Sequence, residues 1–165
     1  MKKLVILLFT LVGLNAQAQS EKECKELLDA ENHVAANVKM YTATWDKILN
    51  HRDIDAINDT NFAKDVVLLN QKEGIRATGI EGFKNAFNYY LTTFSDIKFT
   101  FIDVWGHGDK LIKHWNFQGK HNATGNKMNL SGVTLVKMKD GKIIEEQDFD
   151  DNLWYNQQLG QYMVK

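Results

Sequence analysis

The sequence of 165 residues contains no proline and a single cysteine. Without proline there is no X-Pro bond, so no slow isomerisation step is expected during folding. Cys24 has no second cysteine with which to form an internal disulfide. The chain also lacks repeats, low-complexity runs and any stretch that reads as a linker. One domain with one core is therefore expected.

Motifs for the common cofactors are also missing. The sequence has no phosphate loop, dinucleotide fingerprint, nucleophile elbow or zinc motif. His107, His114 and His121 recur at intervals of seven residues, which on an extended strand places neighbours on opposite faces and over about 20 Å apart. No cysteine or acid cluster completes a tetrahedral set around them. We expect neither a metal nor an organic cofactor.

The first 18 residues have the pattern of a secretory signal peptide. Lys2 and Lys3 precede the apolar run 4–12, and Ala16-Gln17-Ala18 supplies a small-residue exit. The apolar run is too short for a spanning helix, and no later run approaches the roughly 20 apolar residues that a bilayer requires. We expect cleavage of residues 1–18, export to the periplasm or medium, and no membrane anchor afterwards.

Cleavage would remove two lysines and no acids, leaving 147 residues with a net charge near −3. This charge argues against nucleic acid as a partner. We expect residues 19–31 to extend the first helix, residues 32–160 to form the domain, and residues 161–165 to be a tail.

Hydrophobic periodicity predicts helices first and strands afterwards. Apolar residues recur every three or four positions from Val34 to Ile48, as on one face of a helix. Shorter helices are predicted after Asp53, which can cap the first of them, and after Thr78. From Asp96 onward apolar and polar residues alternate, which is typical of strands. The expected class is α+β, with three N-terminal helices.

The stretch 140–160 joins a hairpin, an acidic strand and a short helix. Asp140-Gly141 is a two-residue hairpin signal because glycine tolerates positive φ. Alternate side chains of the following strand share a face, so Glu146, Asp148 and Asp150 point the same way and one of them could face inward. Asp151 is predicted to cap the short helix that ends near Gly160.

This stretch resembles the end of the SnoaL-like polyketide cyclases and ester-cyclase-type proteins, a branch of the nuclear transport factor 2-like superfamily. The resemblance rests on residues 140–143, 148–151 and 158–160. It implies a cone in which a strongly curved antiparallel sheet wraps around the helices, with a pocket at the open end and frequent dimerisation. The family pattern also makes Asp148 the catalytic acid/base. Thr134 stands where some cyclases have histidine, and Gln147 where many relatives have an aromatic residue.

The aromatic residues are numerous for a cone of this size. Most are expected in a solid core, as apolar stripes usually are. A subset is expected to line a ligand cavity, with tryptophan and tyrosine favoured because their polar tips need a partner when buried. The candidate ligand-binding residues are Tyr41, Trp45, Phe87, Tyr90 and Trp115.

Asp148 and His114 are the candidate acid/base residues. A carboxylate in an aromatic cavity loses hydration and becomes a usable proton carrier near neutral pH, whereas a solvated acid at a strand end would have no such role. His114 is a second acid/base only if it faces the cavity together with Ile112, Asn116 and Gln118. If these side chains face outward, they form a wet or dimer-covered surface.

Three functions remain open at this point, because one fold hosts many functions. The first is a cofactor-free isomerase, cyclase or lyase that uses Asp148 on a small apolar or aromatic substrate. The second is a ligand-binding protein with the same cavity and no turnover. The third is an association module that pairs with another copy, as a homodimer, or with another protein.

Overall fold

The computed structural model describes residues 2–70 and 74–160, with side chains from residue 20 onward. Three α-helices and six strands follow one another in the order α1, β1, β2, α2, β3, β4, β5, β6, α3. The helices are α1 (Lys2–Leu49), α2 (Gly79–Thr93) and α3 (Asn152–Gln158), and the strands are β1 (Phe62–Leu69), β2 (Ile75–Thr78), β3 (Phe94–His107), β4 (Lys110–His121), β5 (Lys127–Lys139) and β6 (Lys142–Asp150).

The six strands form one sheet in the order β2-β1-β6-β5-β4-β3. Four neighbouring pairs are antiparallel, while β1 and β6 are parallel. The sheet is therefore mixed, which corrects the expectation of an antiparallel sheet. A hairpin forces its two strands to be antiparallel, but α2 and four other strands separate β1 from β6 in the chain, so no such constraint applies to this pair.

The helices are distributed differently from the predicted group of three. Only α1 precedes the sheet, and the predicted second helix is a 3₁₀ turn, Ile54–Ala56. Asp53 caps this turn as expected, with its carboxylate accepting the backbone N–H of Asp55 at 3.2 Å. The predicted third helix is α2, which follows β1 and β2 in the chain.

The hairpin between β5 and β6 confirms the reading of Asp140-Gly141. Both residues have positive φ, 52° and 72°, as a tight two-residue turn requires. Met138 pairs with Ile143 and Lys137 pairs with Glu145, so Ile144 is an extra residue of β6 with no paired residue on β5. Such a bulge interrupts strict alternation, and Ile143 and Glu146 are both fully buried.

The core lies between the helices and the inner face of the sheet. Tyr41, Trp45 and Ile48 form the buried stripe of α1, and they have no exposed surface. On β4, the inner residues are Leu111, Lys113, Trp115 and Phe117, and all four are buried. The outward residues of that strand are Ile112, His114, Asn116 and Gln118. His114 therefore faces away from the core, which is the second of the two alternatives that the sequence left open.

Helix α1 extends well beyond the domain, and residues 20–33 are exposed on all sides. His33 Nε2 lies 2.7 Å from Asp109 Oδ1, which attaches the helix to the β3–β4 turn. No helix within the described part of the chain has the length and apolar character needed to cross a membrane. The predicted leader lies where side chains are not described, and the tail at 161–165 lies outside the described residues.

Candidate functional site

A cavity of about 440 Å³ lies between the helices and the inner face of β4, β5 and β6. This volume falls within the range of small-molecule sites in proteins. The wall is mainly aromatic and carries a few charged and amide groups. The lining residues are Trp45, Leu49, Asn70, Arg76, Phe87, Tyr89, Tyr90, Phe99, Lys113, Trp115, Phe117, Leu130, Asp148, Asp150, Asn152 and Tyr155.

Burial differs around the wall. We call the buried part around the ammonium group of Lys113 the floor, which comprises Trp45, Phe99, Lys113 and Trp115. We call the exposed and partly exposed part the mouth, and it comprises Arg76, Tyr89, Tyr90, Asp148, Asp150 and Asn152.

Four of the five predicted ligand-binding side chains, those of Trp45, Phe87, Tyr90 and Trp115, lie in this wall. The fifth, Tyr41, does not. It is fully buried behind Trp45, with the ring centroids 6.4 Å apart, because the α1 stripe turns Tyr41 into the core. Whether the four side chains contact a ligand stays a prediction.

The two predicted acid/base residues are separated by the sheet. Asp148 lines the cavity. His114 is exposed on the outer face, in a shallow depression with Val133 and Phe149. Since alternate residues of a strand face opposite sides, the inward Lys113 and Trp115 force His114 outward. This placement corrects the expectation that His114 could assist Asp148.

Asp148 is held in place by a hydrogen-bond relay across three strands. The Thr134 hydroxyl donates to Asp148 Oδ1 at 2.7 Å. The same hydroxyl accepts the indole N–H of Trp115 at 3.0 Å. Thr134 has no exposed surface, so its hydroxyl cannot rotate freely between partners. One carboxylate oxygen is thus fixed, and Oδ2 makes no hydrogen bond with any residue that the structure describes.

A glycine makes this relay possible. Gly132 lies opposite Trp115 on β5, and a Cβ atom at that position would collide with the indole ring and with the carbonyl oxygen of Phe149. The absence of a side chain lets the indole lie close to β5. Its N–H then reaches Thr134, two residues further along the strand.

Glu146 is a second carboxylate that the sequence reading did not select. It has no exposed surface, and its Oε1 accepts the indole N–H of Trp45 at 2.8 Å. Its Oε2 and the Tyr41 hydroxyl are buried without a hydrogen-bond partner in the described part of the chain. Burial, opposed by the charge of Lys113, raises the pKa of Glu146 to about 7. Burial and the nearby Glu146 also raise the pKa of Tyr41 well above its usual value.

Lys113 was not predicted as a site residue either, although the alternation of β4 places it on the same face as Leu111, Trp115 and Phe117. The residue is 4 % exposed. Its Nζ atom lies over the rings of Trp45, Tyr41 and Phe99, at 4.6, 5.4 and 5.5 Å from their centroids. A cation held over ring faces in this way is stabilised by their negative electrostatic potential.

The mouth has its own cation, which already has partners. Arg76 donates to the Tyr90 hydroxyl at 3.1 Å and lies 5.5 Å from the centroid of that ring. Burial and the charge of Asp148 raise the pKa of Asp150, while Arg76 works in the opposite direction. The mouth therefore carries one cation and two carboxyl groups.

Within the described residues, no three histidine, cysteine, aspartate or glutamate side chains are grouped so that they could hold a metal ion. The expectation of cofactor-free chemistry stays a prediction.

The sequence profile of the SnoaL-like polyketide cyclases matches residues 29–159. The chain belongs to this family. The match confirms the resemblance and supports small-molecule binding or a cyclase or isomerase function. No curated protein sequence matches the chain significantly.

Solved structures show the same fold at low identity. TsrD from Streptomyces laurentii is 22% identical with a TM-score of 0.68, over 77% of this chain and 97% of TsrD. A protein from a Jannaschia species, described as SnoaL-like polyketide cyclase, is 17% identical with a TM-score of 0.71, over 79% and 96%. TerC, co-crystallised with polyporic acid, is 18% identical with a TM-score of 0.65, over 76% and 98%. These likenesses support the α+β cone of the nuclear transport factor 2-like superfamily.

Proposed function

We propose that the protein is a cofactor-free enzyme, an isomerase, cyclase or lyase, in which Asp148 moves a proton on a small aromatic or apolar substrate. The observation that carries the proposal is the position of Asp148. Its carboxylate lines an aromatic cavity, where Thr134 fixes one oxygen and the other has no hydrogen-bond partner among the described residues.

This arrangement suits proton transfer for two reasons. The relay from Trp115 through Thr134 orients the carboxylate before substrate arrives, so little reorganisation is needed during the reaction. The aromatic side chains of the wall lower the polarity around the carboxylate, which strengthens its electrostatic interaction with a bound substrate. Oδ2 accepts a proton from the substrate and returns it at another position.

The test is turnover by Asp148→Asn on any substrate found in a panel of small aromatic and lactone-like compounds. Loss of a general acid/base should lower kcat by roughly 10²- to 10⁴-fold. Asp140→Asn is the matched control, because Asp140 lies in the β5–β6 hairpin and asparagine tolerates its positive φ. Wild-type turnover by Asp148→Asn would overturn the proposal.

A non-catalytic binding protein with the same cavity is the alternative. It predicts ligand binding by calorimetry or native mass spectrometry with no conversion of the ligand, and affinities that are equal in wild type and Asp148→Asn. Conversion of a bound compound by wild type and not by Asp148→Asn would exclude this alternative.

We also propose a homodimer formed through the outer face of the sheet. The supporting observation is a set of large apolar side chains that remain exposed on β3, β5 and β6: Ile102, Trp105, Leu135 and Phe149. Light scattering at micromolar concentration should give twice the chain mass, and Leu135→Asp should shift the mass towards one chain. A strictly monomeric wild type contradicts the dimer.

Export to the periplasm or medium, with cleavage after Ala18, is the last part of the proposal and rests on the leader pattern. Mass spectrometry of protein recovered outside the cytoplasm should give a chain that begins at Gln19. Recovery of the uncleaved chain only from the cytoplasm would contradict it.

A further inference from the structure

The floor of the cavity contains a buried cation, Lys113, that has no directly contacting acceptor among the side chains that the structure describes. Lys113 lines the cavity, is 4 % exposed, and lies over three aromatic rings. Its ammonium group makes no hydrogen bond and no ion pair with the residues for which the structure describes side chains. An ammonium group carries three N–H donors, and ring faces alone are weak partners for a desolvated charge.

The charge distribution of the cavity distinguishes the floor from the mouth. At the mouth, Arg76 contacts Tyr90, and Asp148 and Asp150 supply negative charge close by. An anionic ligand group would therefore be repelled by the carboxylates at the mouth and attracted by Lys113 at the floor. The aromatic walls suit a flat ligand body.

From this geometry, and resting on the function proposed above, we propose that the floor is a subsite for an acidic oxygen. Lys113 binds the phenolate, enolate or carboxylate oxygen of a flat aromatic ligand, and the aromatic walls hold its rings. The ligand class is thus aromatic compounds with an acidic oxygen, rather than neutral hydrocarbons of the same size.

The protonation state of Glu146 makes the affinity of this subsite for an anion depend on pH. The ionisable groups that face it are Lys113 from β4, Tyr41 from α1 and Asp148 from its own strand, and Trp45 donates a hydrogen bond. Above about pH 7, Glu146 is ionised in the empty cavity and provides a counter-charge for Lys113. A ligand oxyanion replaces that counter-charge, so in this pH range Glu146 takes up a proton when the anion binds.

A pair of probes tests the subsite on the wild-type protein. Naphthoate is anionic at about pH 6, and naphthamide is a neutral compound of nearly the same shape. Calorimetry should show naphthoate binding at least about tenfold more tightly than naphthamide at that pH, because a hydrogen bond to a buried charge is among the stronger polar contacts. Equal affinities would overturn the inference.

The pH dependence tests the role of Glu146. Between about pH 6 and about pH 8, the wild-type affinity for naphthoate should fall by up to about tenfold as Glu146 ionises and competes for Lys113. The affinity for naphthamide should stay level. In Glu146→Gln the fall should disappear, and calorimetry in buffers of different ionisation enthalpy should show no proton uptake. A fall of wild-type size in Glu146→Gln would contradict the coupling.

Lys113→Met keeps the length of the apolar stem and removes the charge. It should lose the preference for naphthoate and keep naphthamide affinity within about threefold, since only the polar contact is removed. Lys110→Met is the matched control, because Lys110 is on the same strand and exposed, and it should behave as wild type. If Lys113→Met does not fold, the two probes and their pH dependence on the wild type remain a complete test.

The outcomes separate this inference from the proposed function. Binding of naphthamide without a preference for naphthoate contradicts only the acidic-oxygen subsite. Failure of both probes to bind contradicts a cavity for small aromatic ligands, and the subsite with it. Turnover by Asp148→Asn is measured independently, so loss of the catalytic proposal leaves the probe result intact.

Discussion

Glu146 and Asp148 lie two residues apart on the inner face of β6, and each accepts one hydrogen bond from a neighbouring side chain. Glu146 is fully buried below the cavity wall, whereas Asp148 is partly exposed and lines the cavity. Burial raises the pKa of Glu146 to about 7. Burial, rather than the number of hydrogen bonds, therefore distinguishes these two carboxylates on one strand.

The floor and the mouth of the cavity also differ in burial. Lys113 at the floor lies over three rings, with no acceptor in direct contact among the described side chains. Arg76 at the mouth donates to Tyr90 beside two carboxyl groups. Changes at the floor should therefore affect stability and the response to pH, and changes at the mouth should have smaller effects.

The largest effect is expected for Trp45→Ala. Removal of a fully buried indole leaves a void and removes the hydrogen-bond donor of Glu146, so the free energy of unfolding should fall by about 3–5 kcal/mol. Urea denaturation measures the loss. Trp154→Ala is the control, because Trp154 is 50% exposed, and it should change stability by about 1 kcal/mol or less. Equal losses of unfolding free energy in Trp45→Ala and Trp154→Ala would contradict the expected difference between a buried and an exposed indole.

Glu146→Gln should change how stability depends on pH. Because the folded pKa of Glu146 lies above its ordinary value of 4.5, its contribution is fully present below about pH 4.5 and is lost as pH rises towards about 7. The free energy of unfolding of the wild type should fall by at most about 3 kcal/mol over this window relative to Glu146→Gln. Urea melts at several pH values measure it.

The matched control for this experiment is Glu145→Gln. Glu145 forms an ion pair with Lys137 at 2.8 Å, and it is not among the residues that line the cavity. This variant should keep the pH dependence of the wild type. If both glutamate variants equally flatten the plot of unfolding free energy against pH, burial of Glu146 is not the cause of the pH dependence.

Thr134→Val should have an intermediate effect. The substitution removes the hydroxyl between Trp115 and Asp148 and leaves a buried indole N–H without an acceptor, which should lower the free energy of unfolding by about 1–3 kcal/mol. It should also lower turnover, since Asp148 loses its positioning contact. Thr134→Ser retains the hydroxyl and should recover most of both quantities. Full activity of Thr134→Val would mean that the relay does not position Asp148.

The smallest effect is expected for Tyr90→Phe at the mouth. This change removes one hydrogen bond from Arg76 while preserving the ring below the guanidinium. The free energy of unfolding should change by about 1 kcal/mol or less, because the contact lies at a partly exposed site. A thermal melt is sufficient to measure it. A loss of unfolding free energy as large as that of Thr134→Val would mean that the Arg76–Tyr90 contact contributes as much to stability as the buried relay.

Local patterns in the sequence predicted several parts of the fold correctly. The Asp140-Gly141 hairpin, the cap at Asp53 and the cap at Asp151, whose carboxylate accepts the Trp154 N–H at 2.9 Å, are all present. Each depends on backbone geometry within a few residues. The alternation of β4 was also read correctly, although it left open which side faced the cavity.

The parts that were missed depend on residues distant in sequence. Pairing of β1 with β6 joins two ends of the domain, and neither strand carries a local signal for the parallel direction. Glu146 was placed on the same strand face as Asp148, but its burial depends on Trp45, about a hundred positions earlier. Lys113 was assigned to a strand face without any indication that three rings would surround it.

The strand periods, the turns and the acidic face of β6 can be predicted from the sequence, because they follow from backbone preferences and from residue spacing. The family could also be recognised there, from the motifs at 140–143, 148–151 and 158–160. The packing of the helices on the sheet places His114 outward and Tyr41 behind the wall, and it buries Glu146 close enough to Lys113 for their charges to interact. The physical reason is desolvation, since a side chain's charge and reactivity depend on what surrounds it after the helices pack on the sheet.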